Sequence, residues 1–289
     1  MSEYQYYEFL AVDRPLDPRQ LGEVRAASTQ ARITPASFVN TYQWGDLKAD
    51  PRRMMERYHD AHLYVANWGT RRLMLKLPAA LLPLTTASPY AAGDNTAVHL
   101  HGNHVILDWR SEDEDGMEED FDDGSGHLAA LIGIRAELAA GDLRPLYLGW
   151  LATLPGLDNP GTVLEPPVPA GLGSLTGPQQ ALAAFLLTDP HLLHTASHTS
   201  HPESATDDRQ LAKWIAALPT AGKDALLLRL AREAATRPGA GLLHGYRQYG
   251  PPAAPAEPRT AAALLHAAHA SRSMQDRTAT GEDGTEDTR

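Results

Sequence analysis

Between residues 112 and 123 the chain carries nine carboxylates and no base: Glu112, Asp113, Glu114, Asp115, Glu118, Glu119, Asp120, Asp122 and Asp123. Unpaired carboxylates do not enter a protein core, because lost hydration costs more than packing returns. The run must therefore stay in water, and it divides the 289 residues into two differently patterned parts. Ahead of it, apolar residues alternate between turn signals; behind it, they recur at helical spacing. A sheet-bearing N-terminal part followed by a mainly helical part is an α+β chain.

Within the first part the spacing predicts a strand over Tyr4–Val12, a helix from Pro18 to about Ser28, an extended segment over Ile33–Trp44 bent at Pro35, and a helix from Pro51 to about His59. Two hairpins follow, His62–Ala66 with Arg71–Leu77, and Ala97–His101 with His104–Arg110. A continuation of the second helix to about Val65 also fits, since Met54, Met55, Tyr58 and His62 keep helical spacing. The N-terminal domain thus reads as a mixed α/β sheet domain over 1–110, βαβα plus two hairpins, ending at an acidic loop over 111–126. Helices are expected over 127–154, a linker or wrapping segment dense in Pro and Gly over 155–178, and a helical region over 179–249. The last stretch, 250–289, is Pro-rich and then, beyond Ala270, polar, and that final part reads as a disordered tail. Asp17-Pro18, Asp50-Pro51 and Asp189-Pro190 each place an N-cap carboxylate ahead of a first-turn proline, a helix-start signal.

The chain has no cysteine, which excludes disulfides, thiolate metal sites and thiol nucleophiles and fits a reducing compartment. The longest charge-free apolar stretch, Leu77–Gly93, is broken by Pro78, Pro83 and Pro89, so no membrane span is expected. The first thirty residues carry Glu3, Glu8, Asp13, Arg14 and Asp17, and no secretion signal is expected in them. The net charge of −11 resides in the acidic run, and the remainder is close to neutral, too little for an electrostatic nucleic-acid surface.

Several residue sets are candidates for chemistry. Alternation around the Gly102-Asn103 turn puts His99, His101 and His104 on one sheet face, a set able to hold zinc as three imidazoles with an open fourth position. His191, His194, His198 and His201 share one helix face, and the competing reading is an exposed helix surface. Ser111, Asp113, Asp115, Gly116 and Asp122 partly match a calcium loop, but Ser at its first position and Asp at its last depart from the pattern. His59-Asp60 with His62 resembles the metal-binding dipeptide of phosphohydrolases, a very short motif. Residues 207–218 and 222–235 have the outline of a helix-turn-helix, yet the second helix opens Asp224-Ala225-Leu226-Leu227-Leu228, which suits a core better than a DNA groove. Phosphate-binding glycine loops, the Gly-x-Ser-x-Gly elbow and the His-Glu-x-x-His helix are all missing.

Aromatics are dense in the first 68 residues, among them Tyr4, Tyr6, Tyr7, Phe38, Tyr42, Trp44, Tyr64 and Trp68. From these, Tyr6, Tyr42, Trp44 and Trp68 with Arg71 and Arg72 form the expected binding surface, since Tyr, Trp and Arg are the side chains that anchor interfaces. The stretches Tyr4-Gln5-Tyr6-Tyr7-Glu8-Phe9, Ala31-Arg32-Ile33-Thr34-Pro35, Trp44-Gly45-Asp46 and Ala66-Asn67-Trp68-Gly69-Thr70-Arg71-Arg72-Leu73-Met74 resemble an uncharacterised bacterial protein family over the N-terminal third. That resemblance implies a bacterial cytosolic protein and no particular activity. The sequence therefore leads to a non-enzymatic binding or accessory protein of the cytoplasm, without a cofactor, contacting a protein partner. The alternatives are a metal-dependent hydrolase built on the hairpin histidines, and a single-stranded nucleic-acid binder using Tyr6, Tyr42, Trp44 and Arg71.

Overall fold

A computed structural model describes residues 3–112, 123–200, 208–224, 227 and 259–282. The carboxylates from 113 to 122, with the calcium-loop pattern they complete, His201, and most of the second helix-turn-helix segment lie outside the described residues.

Seven strands form one antiparallel sheet in the order β2-β3-β1-β4-β5-β7-β6. They are β1 (Gln5–Leu10), β2 (Arg32–Ile33), β3 (Ser37–Tyr42), β4 (Ala61–Ala66), β5 (Arg71–Pro78), β6 (Thr96–His101) and β7 (His104–Ser111). The single extended segment expected over Ile33–Trp44 is two strands, because Pro35 bends the chain and β2 returns onto β3 with Ile33 opposite Phe38. Both expected hairpins are present, with Leu63 opposite Leu73 and His101 opposite His104. Gly102 opens the second turn at φ +56°, in the left-handed region that glycine enters without strain.

The helices start where their caps dictate. In α1 (Pro18–Arg25) the Asp17 carboxylate accepts from the Gln20 N–H while the Gln20 side chain bonds back to Asp17, a complete capping box. The carboxylate of Asp50 opens α2 (Pro51–Arg57) in the same manner, accepting from the Arg52 N–H. After a short α3 (Leu84–Ala87), the first stretch of the helices expected over 127–154 is two pieces, α4 (His127–Leu131) and α5 (Gly133–Ala139). A Cβ on Gly133 would lie 2.7 Å from a Pro178 side-chain carbon, so this junction requires glycine. Next come α6 (Arg144–Thr153), α7 (Gly177–Phe185), α8 (Pro190–Ser197) and α9 (Asp208–Ala217).

Both faces of the sheet are covered. On the inner face, Tyr6, Leu63, Leu75, Leu107 and Trp109 pack against the helices from α4 to α8 in one cluster. Each fully buried large side chain there contributes about 1.5–3 kcal/mol. Helix α6 comes so close that a Cβ on Gly149 would lie 2.2 Å from Trp109 Nε1. On the outer face, Tyr7, Phe9, Phe38, Met74 and Ile106 pack under Val24 of α1 and Met54 and Met55 of α2.

The Pro- and Gly-dense segment over 155–178 is packed against this body. Pro167 O accepts from Tyr90 Oη at 2.8 Å, Leu172 is buried, and Glu165 forms a bidentate pair with Arg259 at 2.7 and 2.8 Å. The disordered tail expected beyond Ala270 gives way, as far as Glu282, to a helix, α10 (Ala261–Glu282). Its Ala261, Leu264 and Ala268 are buried in the inner cluster, where α10 packs on α8. Among the described residues, no helix is long and apolar enough to cross a membrane.

Candidate binding surface

The first residues of β1 organise one end of the sheet. Gln5 lies between Tyr42 of β3 and Ala66 of β4, so the loops leaving these two strands emerge side by side. Gln5 Nε2 donates to Gly45 O at 2.9 Å, and the Tyr4 N–H donates to Asn67 Oδ1 at 2.9 Å. Gln5, the first residue of β1, thus pins the loop that carries Trp44, and Tyr4, just ahead of it, the turn that carries Trp68. Gly45 and Gly69 take φ of +82° and +92° at these bends.

Trp44 is 77 % exposed and Trp68 39 %, although side chains this apolar are normally withdrawn from water. Trp44 borders a recess of about 320 Å³ whose wall includes Gln30, Tyr42, Asp46 and Lys48. Beneath it, Tyr7 Oη donates to Asp46 Oδ1 at 2.6 Å, and the Tyr7 and Tyr42 rings meet edge-on at 5.8 Å between centroids. Burial, followed by the bond to Asp46, pushes the Tyr7 hydroxyl far up, and Tyr64 is raised to about 12 by burial first, so both stay protonated. Tyr42, which borders the recess together with Trp44, thus rests against a fixed ring.

The six residues expected to share a surface do not all do so. Tyr42, Trp44 and Trp68 gather at this end of the sheet, and Arg71 begins β5 there. Tyr6 does not join them: it is buried on the helix-covered face, with its hydroxyl donating to Glu8. Arg72 points to the opposite face from Arg71 and is engaged by Asp108 through two bonds of 2.7 and 2.6 Å. Beside this pair lies a smaller recess, about 160 Å³, bordered by Tyr64, Arg110 and Glu112. Gln30, Asp46 and Lys48 were not singled out by the sequence, and nothing in their spacing distinguishes them from ordinary loop residues.

The histidine candidates occupy different settings. His99, His101 and His104 share the outer sheet face, as alternation requires, with His101 Nδ1 3.9 Å from Glu56 on α2. Among the described residues, no group of three His, Asp or Glu is arranged to hold a metal ion. His194 and His198 meet edge-on at 4.5 Å on an exposed surface. His59 and His62 are completely buried. His62 stacks on Phe9 at 4.0 Å, and its Nδ1 lies 3.0 Å from Glu8 O. Between them, Asp60 clamps the chain: its carboxylate accepts from the Val12 and Asp13 N–H groups at 2.8 and 3.0 Å and pairs with Lys76 at 3.2 Å. These bonds give the His-Asp dipeptide a structural task.

No protein-family profile matches the chain, no curated protein matches it, and no solved structure matches it. The reading of function therefore rests on the surface itself.

Proposed function

We propose that the chain is a non-enzymatic binding or accessory protein of the bacterial cytosol, docking a protein partner on the sheet end that carries Trp44 and Trp68. The observation that carries this reading is Trp44, 77 % exposed on a loop pinned to β1. An exposed tryptophan on a rigid loop loses little conformational entropy on binding, while its ring buries a large apolar area. Tyr42 and Lys48, which border the same recess, supply the amphipathic and cationic surroundings typical of interface anchors. The absence of cysteine and the near-neutral body suit a cytosolic protein that meets a partner by shape more than by long-range charge.

The test is affinity capture from the host with the wild type and with Trp44→Ala, followed by measurement of the affinity for the captured protein. Truncating a central anchor weakens binding about 30-fold or more. Equal capture by both forms would remove this surface from consideration.

A further inference from the structure

The two edges of the sheet are finished differently. At one edge, β2 is only two residues long. Thr34 and Ser37 exchange backbone hydrogen bonds there, so Ser37, Val39 and Thr41 of β3 direct their backbone groups outward. Beyond β2 the Thr41 N–H is already engaged by Asn40 Oδ1 at 3.0 Å, and Asn40 Nδ2 is held by Ser28 Oγ at 3.1 Å. That edge offers an incoming strand almost nothing.

The other edge is β6, Thr96–His101, six residues without Lys, Arg, Asp, Glu, Pro or Gly. Natural edge strands use charges, prolines and bulges to repel other strands, and β6 has none of these devices. Its register fixes which backbone groups are open. His101 and His104 flank a two-residue turn and so form a hydrogen-bonded pair, a pattern repeated by His99 with Ile106 and Ala97 with Asp108. Thr96, Val98 and Leu100 therefore direct their N–H and C=O groups away from β7. Among the described residues, no hydrogen bond reaches the N–H of Val98 or Leu100. Leu100 is also 54 % exposed.

We propose that β6 is a self-association edge at which a second copy of this chain pairs antiparallel about Val98, making one sheet continuous through both copies. Two-fold pairing centred there sets Val98 opposite Val98 of the second copy, Thr96 opposite Leu100, and Ala97 opposite His99. All three outward-facing residues become hydrogen-bonded pairs, and Val98 and Leu100 of both copies gather on one face. The occupant follows from charge and symmetry. The strand itself carries no formal charge, so self-pairing brings no like charges together. On the neighbouring α2, Arg52 and Glu56 already pair with each other at 3.2 Å. Asp94, exposed just ahead of β6, comes to the His101 end of the second copy, so that no acid meets an acid in either direction.

Light scattering on the eluting full chain over a wide concentration range tests this. A mass of twice 31.3 kDa at high concentration is expected. Leu100→Lys, a substitution at an exposed site, should keep the far-ultraviolet circular dichroism and thermal midpoint of the wild type while weakening the dimer at least tenfold. The chain lacks cysteine, so Val98→Cys introduces a single thiol. In the proposed register the two Cα atoms are about 5.5 Å apart, within disulfide range, and mild oxidation should yield a covalent dimer. Arg19→Cys, on α1, should not cross-link. A monomer at every concentration would overturn the proposal, and so would a dimer whose affinity Leu100→Lys leaves unchanged.

Discussion

Arg72 and Asp108 are only 16 % and 6 % exposed at their side chains, and the two bonds of 2.7 and 2.6 Å between them are what permit charges there. Arg110, 3.8 Å from Asp108, is farther away and 46 % exposed. Removing one partner from a buried pair leaves the other desolvated and uncompensated, a loss of about 3 kcal/mol or more. Arg72→Leu should therefore lower stability by about 3 kcal/mol in urea unfolding, and Arg72→Leu with Asp108→Leu should recover most of it. An unchanged single variant would mean that Arg110 replaces the lost partner. The same pair shows why the binding surface was only partly legible in the sequence. Arg71 and Arg72 are neighbours in the chain, yet pleating sends one to each face, and only the fold reveals that Arg72 is already engaged. Tyr6 failed for a related reason. Both sheet faces are covered, so alternation assigns Tyr6 and Tyr7 to opposite sides without exposing either one.

Elements were most legible where a local interaction starts or stops them. The three Asp-Pro steps each cap a helix, with Asp189 accepting from the His191 N–H at 2.8 Å, and Gly102-Asn103 sets the hairpin register. Elements maintained by distant packing were not legible. The clearest is α10, whose buried positions Ala261, Leu264 and Ala268 include two alanines, giving a weak apolar signal ahead of a polar stretch. Its place is set by α8, by the bridge from Leu164 to Thr260, and by Arg272, which pairs with Asp189 at 2.7 Å. Leu264 is the residue that decides between helix and solvated tail. Leu264→Ala should destabilise the protein by about 2–5 kcal/mol, read from the thermal or urea midpoint, because it opens a hole in the main cluster. A solvated tail would show no change.

For the molecule as a whole, the outer layer of α1 and α2 closes over two imidazoles that fold only in their neutral form. Burial holds His62 down at about 3, with the nearby Arg72 adding to the effect, and burial likewise holds His59 down at about 4. Among the described residues, neither nitrogen of His59 has a hydrogen-bond partner, and Nε2 of His62 has none either. In the unfolded chain both rings titrate near the ordinary histidine value, about 6.5. Below that pH the unfolded state takes up protons that the folded state refuses, so stability is full above about 6.5 and falls as the pH drops toward 4. Each histidine contributes a slope approaching about 1.4 kcal/mol per pH unit in that window. Replacing His59 separates this effect from the carboxylates, which titrate lower, because its ring nitrogens make no bonds that the substitution would break. Urea unfolding of the wild type and of His59→Leu between pH 7 and 4.5 should show a shallower decline in the variant, whatever its stability at neutral pH. Parallel curves would mean that His59 is protonated inside the folded protein, and that the layer of α1 and α2 admits water to it.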